Sequence, residues 1–202
     1  DPARDTADEV LFYAECARQA RDLRLSAHLA RRALERFPAD ARIRRLDLAL
    51  LCEEGAWKEA SQDALWLLTA APAEAELWDR YAYAAQSMGS DPDASAAAEA
   101  AWLAEPGDLA RWRRHLSMQT ARGHWQTALA EADAQLAGPF REETISDPAT
   151  MRLLVRAADA AEDDARLAAW LALVPPEARS PDMLLCAARS ALRRGDAGSA
   201  RD

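Results

Sequence analysis

A single interval of 34 residues recurs along the chain and limits the folds that it can adopt. Three series of residues share this interval: Pro38, Pro72 and Pro106; Gly55, Gly89 and Gly123; and Ala60, Ala94 and Ala128. Independent series with one period indicate repeated structural units. In such an array, each unit buries its apolar face only against its neighbours.

The order of residues within one period predicts a pair of helices. In the unit Ala75–Asp108, Trp78 lies on the apolar face of a first helix. Gly89 ends this helix, since glycine readily adopts the left-handed conformation that closes a helix C-terminus. Asp91 is predicted to be the N-cap of a second helix, and Pro106 ends that helix. The repeated unit is therefore predicted to be a helix-turn-helix.

The composition supports an all-α protein and excludes several functions. Alanine, leucine and arginine dominate, and these are strong helix formers. The net charge of −9 argues against a general nucleic-acid binder, which needs an excess of positive charge. No apolar run approaches the roughly 20 residues that a membrane-spanning helix needs. The three cysteines form no C-x-x-C motif, so neither a disulfide scaffold nor a zinc site is predicted.

This pattern resembles the tetratricopeptide repeat (TPR) family, whose helix-turn-helix repeat of about 34 residues has Trp, Gly, Ala and Pro in this order. The resemblance implies a right-handed α-solenoid of antiparallel helix pairs. We expect a single array with units at residues 7–40, 41–74, 75–108, 109–142, 147–176 and 181–202. After Pro139 the register slips, and Phe140–Ser146 is predicted to be a loop. The chain is expected to be a segment of a larger protein.

The sequence contains no recognisable catalytic motif. His28, His115 and His124 fall at different positions of different units, and no phosphate-binding glycine loop is present. Paired carboxylates lie at predicted helix ends, where capping explains them. We therefore predict no enzymatic activity, no cofactor and no metal site in these residues.

The TPR resemblance implies that the first helix of each pair lines a concave wall. Carried over residue by residue, the predicted partner-binding residues are Arg42, Arg45, Arg80, Tyr83, Arg113 and Arg114. Arginine forms bidentate contacts with carboxylates, so this wall suits an acidic peptide or an anionic polymer. The alternative is that these arginines pair with neighbouring acids such as Glu76 and Asp79. The seven tryptophans are expected to pack between helices, and ligand stacking is their alternative role.

Three functions fit this interpretation. The first is a protein-interaction scaffold of a larger bacterial protein, which binds a protein partner through an acidic segment. The array resembles the periplasmic TPR arms of outer-membrane exopolysaccharide exporters in biofilm formation, so the periplasm is favoured over the cytoplasm. The second function is direct binding of an anionic polymer or polysaccharide. The third is a docking domain of an enzyme whose catalytic domain lies elsewhere.

Overall fold

The computed structural model describes residues 6–195, and its regular secondary structure over that range is helical throughout. The all-α prediction is therefore confirmed for this part of the chain. The chain divides into two compact units, with the boundary between Ala104 and Glu105. We call them unit 1 and unit 2. The single continuous array stays a prediction.

Between residues 6 and 104, unit 1 consists of three helix pairs. Its helices are α1 (Ala7–Gln19), α2 (Leu23–Arg36), α3 (Ala41–Glu54), α4 (Trp57–Ala70), α5 (Ala75–Ser87) and α6 (Asp91–Ala104). Each helix contacts the next one along the chain, as expected for stacked helical hairpins. The second helix of each pair ends two residues before Pro38, Pro72 or Pro106. The prolines thus separate successive pairs, as the sequence predicts.

Between residues 105 and 195, unit 2 contains two complete helix pairs and two further helices. Its helices are α7 (Leu109–Ala121), α8 (Trp125–Ala137), α9 (Arg141–Ser146), α10 (Pro148–Ala160), α11 (Asp164–Leu173) and α12 (Pro181–Arg193). A short 3₁₀ helix, Pro176–Ala178, lies between α11 and α12. Helix α10 contacts α7, α8, α9, α11 and α12, so it is the centre of this unit. The predicted last helix from Asp196 lies outside the described residues.

Small residues allow the helices of each pair to pack closely. In unit 1, Leu48, Leu51 and Leu67 form a buried cluster with Ala60 and Ala64 from α4. The three periodic alanines are 0%, 2% and 0% exposed at positions 60, 94 and 128, as their spacing predicts. A larger side chain at these sites would separate the two helices, because protein interiors have little free volume.

Two details differ from the sequence prediction. Helix α6 already includes Asp91, so the N-cap position is one residue earlier, at Ser90, whose hydroxyl donates to the Asp93 carboxylate at 2.6 Å. The predicted loop Phe140–Ser146 contains α9. Its Thr144 is buried and donates to the Phe140 carbonyl at 2.7 Å. A helix of 6 residues is too short to display a hydrophobic period in the sequence.

The turn after each first helix places one residue in the left-handed region. These residues are Arg21, Gly55, Gly89, Gly123, Glu162 and Gly195, with φ between 57° and 76°. Four are glycines, and three of these, Gly55, Gly89 and Gly123, form the periodic series of the sequence. Arg21 lies one period before Gly55 and adopts the same conformation despite its side chain. Because a Cβ atom disfavours this region, Arg21 and Glu162 are strained positions.

We predict that Arg21→Gly and Glu162→Gly each raise the free energy of unfolding by about 0.5–1 kcal/mol, since glycine relieves the left-handed strain at some cost in chain entropy. Urea denaturation measures the change. The controls are Arg21→Ala and Glu162→Ala, which retain the Cβ atom and should give no gain. Alanine variants as stable as the glycine variants would contradict this account of the turn.

Unit 1 also buries a polar cluster. Asp47 and Asp63 are each 7% exposed. Arg44 donates to Asp63, and its guanidinium carbon lies 4.4 Å from the centre of the Trp66 ring. Arg44 occupies the position where the TPR resemblance places tryptophan, and the ion pair and ring contact explain how an arginine is accommodated there. Burial, followed by the charge of Asp63, raises the pKa of Asp47 to about 6.

The raised pKa of Asp47 predicts a pH-dependent cost of folding. The Asp47 carboxylate binds a proton more tightly in the folded state than in the unfolded state. The stability that this group contributes therefore falls as the pH rises from about 4 through 6. We expect Asp47→Asn to stabilise the protein by about 1–3 kcal/mol near pH 8 and by about a third as much near pH 4.5. Urea denaturation at both pH values tests this. The exposed Glu99→Gln is the control, and an equal gain from Asp47→Asn at both pH values would exclude titration as the cause.

Candidate functional site

Two of the predicted groove arginines connect successive first helices. Arg45 is the fifth residue of α3 and donates through both terminal nitrogens to Glu74, the N-cap of α5, with 2.6 Å between Nη2 and Oε2. Arg113 is the fifth residue of α7 and donates to Asp147, the N-cap of α10, at 2.6 Å. The same pair therefore recurs in both units. We call it the arginine–cap pair.

The pair in unit 2 is reinforced by helix capping. The Asp147 side chain also accepts the backbone N–H of Thr150. Burial acts to raise the pKa of Asp147, but hydrogen bonds from Thr150 and the charge of Arg113 outweigh it, and the pKa is lowered. Asp147 thus remains ionised at neutral pH. Arg113 is half-buried and directed at this carboxylate, so its first role is to hold α7 against α10.

The other predicted residues of unit 1 also contact their own chain. Arg42 donates to Asp8 at 2.6 Å and to Asp40 at 2.8 Å. Arg80 donates to Glu76 at 2.7 Å, one helical turn earlier. Tyr83 is 52% exposed, and its ring packs edge-on against Trp57 with centroids 5.1 Å apart. In unit 1, internal pairing therefore occupies Arg42, Arg45 and Arg80.

Unit 2 contains a pocket of about 470 Å³ between α7 and α10, which we call the basic pocket. Its lining residues are Ala110, Arg113, Arg114, Ser117, Ala149, Arg152, Leu153 and Arg156. Four of the eight are arginines and none is acidic. The structure thus brings Arg113 and Arg114 together with two arginines that the sequence analysis did not identify.

Arg152 occupies the helix position of the arginine–cap pair but lacks the carboxylate. It is the fifth residue of α10, the position of Arg45 in α3 and Arg113 in α7. The next first helix, α12, has Ser180 as its N-cap, so no carboxylate stands at the corresponding position. Within residues 6–195, neither Arg152 nor Arg156 forms an ion pair, and both are exposed. Their guanidinium groups are therefore available for an anion.

These two arginines lie beyond a break in the repeat register. The N-caps Asp108 and Asp147 lie 39 residues apart, which is five more than the period. Counting at 34 residues therefore misplaces the inner positions of α10. The Asp147–Pro148 pair, which marks a new helix start, restores the count. Numbered from Pro148, Arg152 is fifth and Arg156 is ninth, and both positions face inward in the TPR pattern.

A second pocket of about 430 Å³ adjoins the basic pocket and is lined by residues of α7, α8, α10 and α12. We call it the mixed pocket. Its lining residues are Ser117, Thr120, Ala121, Trp125, Leu153, Arg156, Ala157, Asp159, Ala160, Cys186 and Arg189. Arg189 donates to Asp159 at 3.2 Å. Polar groups are thus present, but much of the lining is apolar.

The tryptophans are mostly packing residues. All seven lie in the described part of the chain, and none is exposed. Trp112 is fully buried and Trp170 is 4% exposed, which confirms the packing prediction for both. The other five are partly buried. The indole of Trp78 donates to the Pro72 carbonyl at 2.8 Å, so this ring fixes the turn before α5.

Neither a metal-binding cluster nor a membrane-spanning helix is found in residues 6–195. No three or more histidine, cysteine, aspartate or glutamate side chains are grouped in a way that would hold a metal ion. No helix in this range combines the length and the apolar character that crossing a bilayer requires.

Comparison with known proteins supports the fold. No protein-family model and no curated protein sequence matches the chain. Among solved structures, the MamA protein is 10% identical with a TM-score of 0.66, over 94% of this chain and 93% of that one. YrrB, a TPR protein with an unusual peptide-binding site, is 13% identical with a TM-score of 0.67, over 97% and 90%. A TPR protein from Parabacteroides merdae is 14% identical with a TM-score of 0.57, over 96% and 74%. These similarities establish a TPR-type α-solenoid fold.

The arginine–cap pair predicts different roles for Arg113 and Arg152. We expect Arg113→Gln to lower the free energy of unfolding by about 0.5–1 kcal/mol, because it removes a partly exposed ion pair. Arg152→Gln, at the same helix position without a carboxylate, should change it by less than about 0.5 kcal/mol. A double-mutant cycle with Asp147→Asn isolates the pair from the capping role of Asp147. Equal destabilisation by both arginine variants would contradict this division of roles.

Proposed function

We propose that the chain is a protein-interaction scaffold, and that unit 2 binds an acidic segment of a partner protein in the basic pocket. The observation that carries this proposal is Arg152, which occupies a pairing position where the protein supplies no carboxylate. Together with Arg156 it presents exposed guanidinium groups on one face of α10, since residues four apart lie on the same side of a helix.

The chemistry of the pocket favours carboxylates. Arginine binds a carboxylate through two parallel N–H···O bonds, and such charge-assisted hydrogen bonds are stronger than neutral ones. The arginines converge from two helices that the Arg113–Asp147 pair already holds together. The site is thus preorganised, and a ligand need not order these helices when it binds.

The basic pocket is a local positive site on a protein whose net charge is negative. The protein carries a net charge of −9, so an acidic partner is repelled at long range. Attraction acts only within roughly one Debye length of the basic pocket, about 8 Å at physiological salt. Binding should therefore require specific contact with the pocket, and a general acidic surface would not suffice.

The fold is compatible with this proposal. YrrB, which shares the fold over most of both chains, is described as having an unusual peptide-binding site. The rival function, direct polymer binding, needs exposed aromatic platforms, whereas no aromatic residue lines the basic pocket and the exposed aromatics Phe12, Tyr13 and Tyr83 lie in unit 1. The protein-partner function is therefore preferred.

The wider setting stays a prediction. The TPR resemblance suggests a periplasmic array beside an exopolysaccharide exporter, where the scaffold would recruit a modifying enzyme. A docking domain of an enzyme with its catalytic domain elsewhere is the alternative, and the absence of catalysis in this chain also stays a prediction. Fractionation of cells that express the full gene tests the compartment, and recovery in the cytoplasm would contradict the periplasmic setting.

We predict that a fluorescent peptide with several glutamates binds the protein and that the double variant R152E/R156E weakens this binding by at least tenfold, since about 1.5–3 kcal/mol is lost for each charge-assisted contact. Fluorescence anisotropy at about 50 and 300 mM salt gives the affinity, which should fall with salt because the contacts are exposed. A peptide with glutamines in place of glutamates should bind much more weakly.

The matched control is R122E/R141E, which makes the same charge change at two exposed arginines of unit 2 that do not line the basic pocket. It should retain affinity within about twofold. Circular dichroism melting checks that each variant folds. Equal losses in both double variants would show that net charge alone governs binding and would contradict the site. Tighter binding of an anionic polysaccharide than of every peptide would contradict the protein-partner function.

A further inference from the structure

The basic pocket and the mixed pocket are adjacent in unit 2. They share Ser117, Leu153 and Arg156. Along α10, the residues that line the basic pocket are centred near Arg152, and those that line the mixed pocket are centred near Ala157. A rise of 1.5 Å per residue separates these centres by about 7 Å along the helix axis. A bound molecule longer than this can occupy both pockets.

The mixed pocket suits an apolar side chain. Ala121, Trp125 and Ala160 contribute apolar surface, and Cys186 is only 4% exposed. Burial raises the pKa of the Cys186 thiol to about 11, so this group is neutral at pH 7 and behaves as a small apolar residue. The pocket therefore has an apolar floor.

Two arginines compensate the one acidic side chain of the mixed pocket. The Asp159 carboxylate accepts hydrogen bonds from Arg189 at 3.2 Å and from Arg193 at 2.9 Å. Asp159 is 8% exposed, so little of its charge faces the pocket. The pocket thus lacks the unpaired anion that a basic side chain would need. Arg156, which the two pockets share, brings a positive charge to the border between them, and Arg152 lines the basic pocket only.

An extended peptide matches this spacing. In an extended chain, side chains two residues apart point to the same side and lie about 6.6–7 Å apart. We infer that the partner segment is an extended peptide in which one residue separates an acidic side chain, bound in the basic pocket, from an apolar side chain, bound in the mixed pocket. This inference rests on the proposed function and adds a recognition rule to it.

The rule predicts affinities for a panel of synthetic peptides. Each peptide contains one key glutamate in a serine–glycine background. A single leucine is placed two residues before the glutamate, two residues after it, or directly next to it. Fluorescence anisotropy with the wild-type chain gives each affinity. We expect one of the two-residue spacings to bind about tenfold more tightly than the leucine-free peptide, since leucine buries apolar surface. The adjacent placement should give little gain, because neighbouring side chains point to opposite sides.

The variant Ala121→Phe tests the mixed pocket directly. Ala121 is exposed at the last position of α7, so a larger side chain fills the pocket without entering the core. It should remove the tenfold gain from leucine while leaving the affinity for the leucine-free peptide unchanged. Ala137→Phe is the matched control, because Ala137 is also exposed, at the last position of α8, and should preserve the gain.

The outcomes separate the inference from the proposed function. If acidic peptides bind through Arg152 and Arg156 but leucine at either two-residue spacing gives no gain, the recognition rule is wrong and the scaffold function stands. A gain that persists in Ala121→Phe would also overturn the rule, since leucine would then bind elsewhere. If no acidic peptide binds at all, the proposed function fails, and the rule fails with it.

Discussion

An arginine at the fifth position of a first helix, paired with the carboxylate that caps the next first helix, is the interaction on which the site depends. Arg45 with Glu74 and Arg113 with Asp147 use this pair to hold neighbouring repeats. Each carboxylate sits at the positive end of a helix dipole, which favours its ionised state. At Arg152 the acid is missing, because α12 begins with Ser180. The same backbone position therefore stabilises stacking in two places and offers a free cation in a third.

A local feature of the fold could be predicted from the sequence where it requires a particular residue type. Gly55 and Pro72 mark a turn and a repeat boundary because few other residues satisfy the backbone there. Arg21 adopts the conformation of Gly55 without such a mark, because the packing around the turn outweighs its local preference. The short helix α9 escaped prediction because six residues cannot display a helical period.

The candidate site was harder to predict, because tertiary contacts decide which arginines are paired with acids and which can bind a ligand. The TPR resemblance placed Arg45 and Arg113 on an inner wall, but it could not reveal that neighbouring carboxylates occupy them. Arg152 and Arg156 lie beyond the five-residue break in register, in a unit onto which the inner positions of the repeat were not carried over. A helix start such as Asp147–Pro148 is a better origin for numbering than the repeat length. Degenerate repeats are best aligned one helix at a time.

Charged side chains that lack a full set of partners have different energetic costs in the two units. In unit 1, Asp47 and Asp63 are enclosed near Arg44, and the raised pKa of Asp47 records an energetic cost of burying like charges. In unit 2, Arg152 and Arg156 line the basic pocket without an ion pair among the described residues, and they remain in water and cost little until a ligand binds. A ligand that removes this water must replace it with carboxylate oxygens, since a buried unpaired guanidinium is strongly unfavourable. A neutral ligand would leave these guanidinium groups buried and unpaired, and this energetic penalty explains why the pocket should select acidic partners.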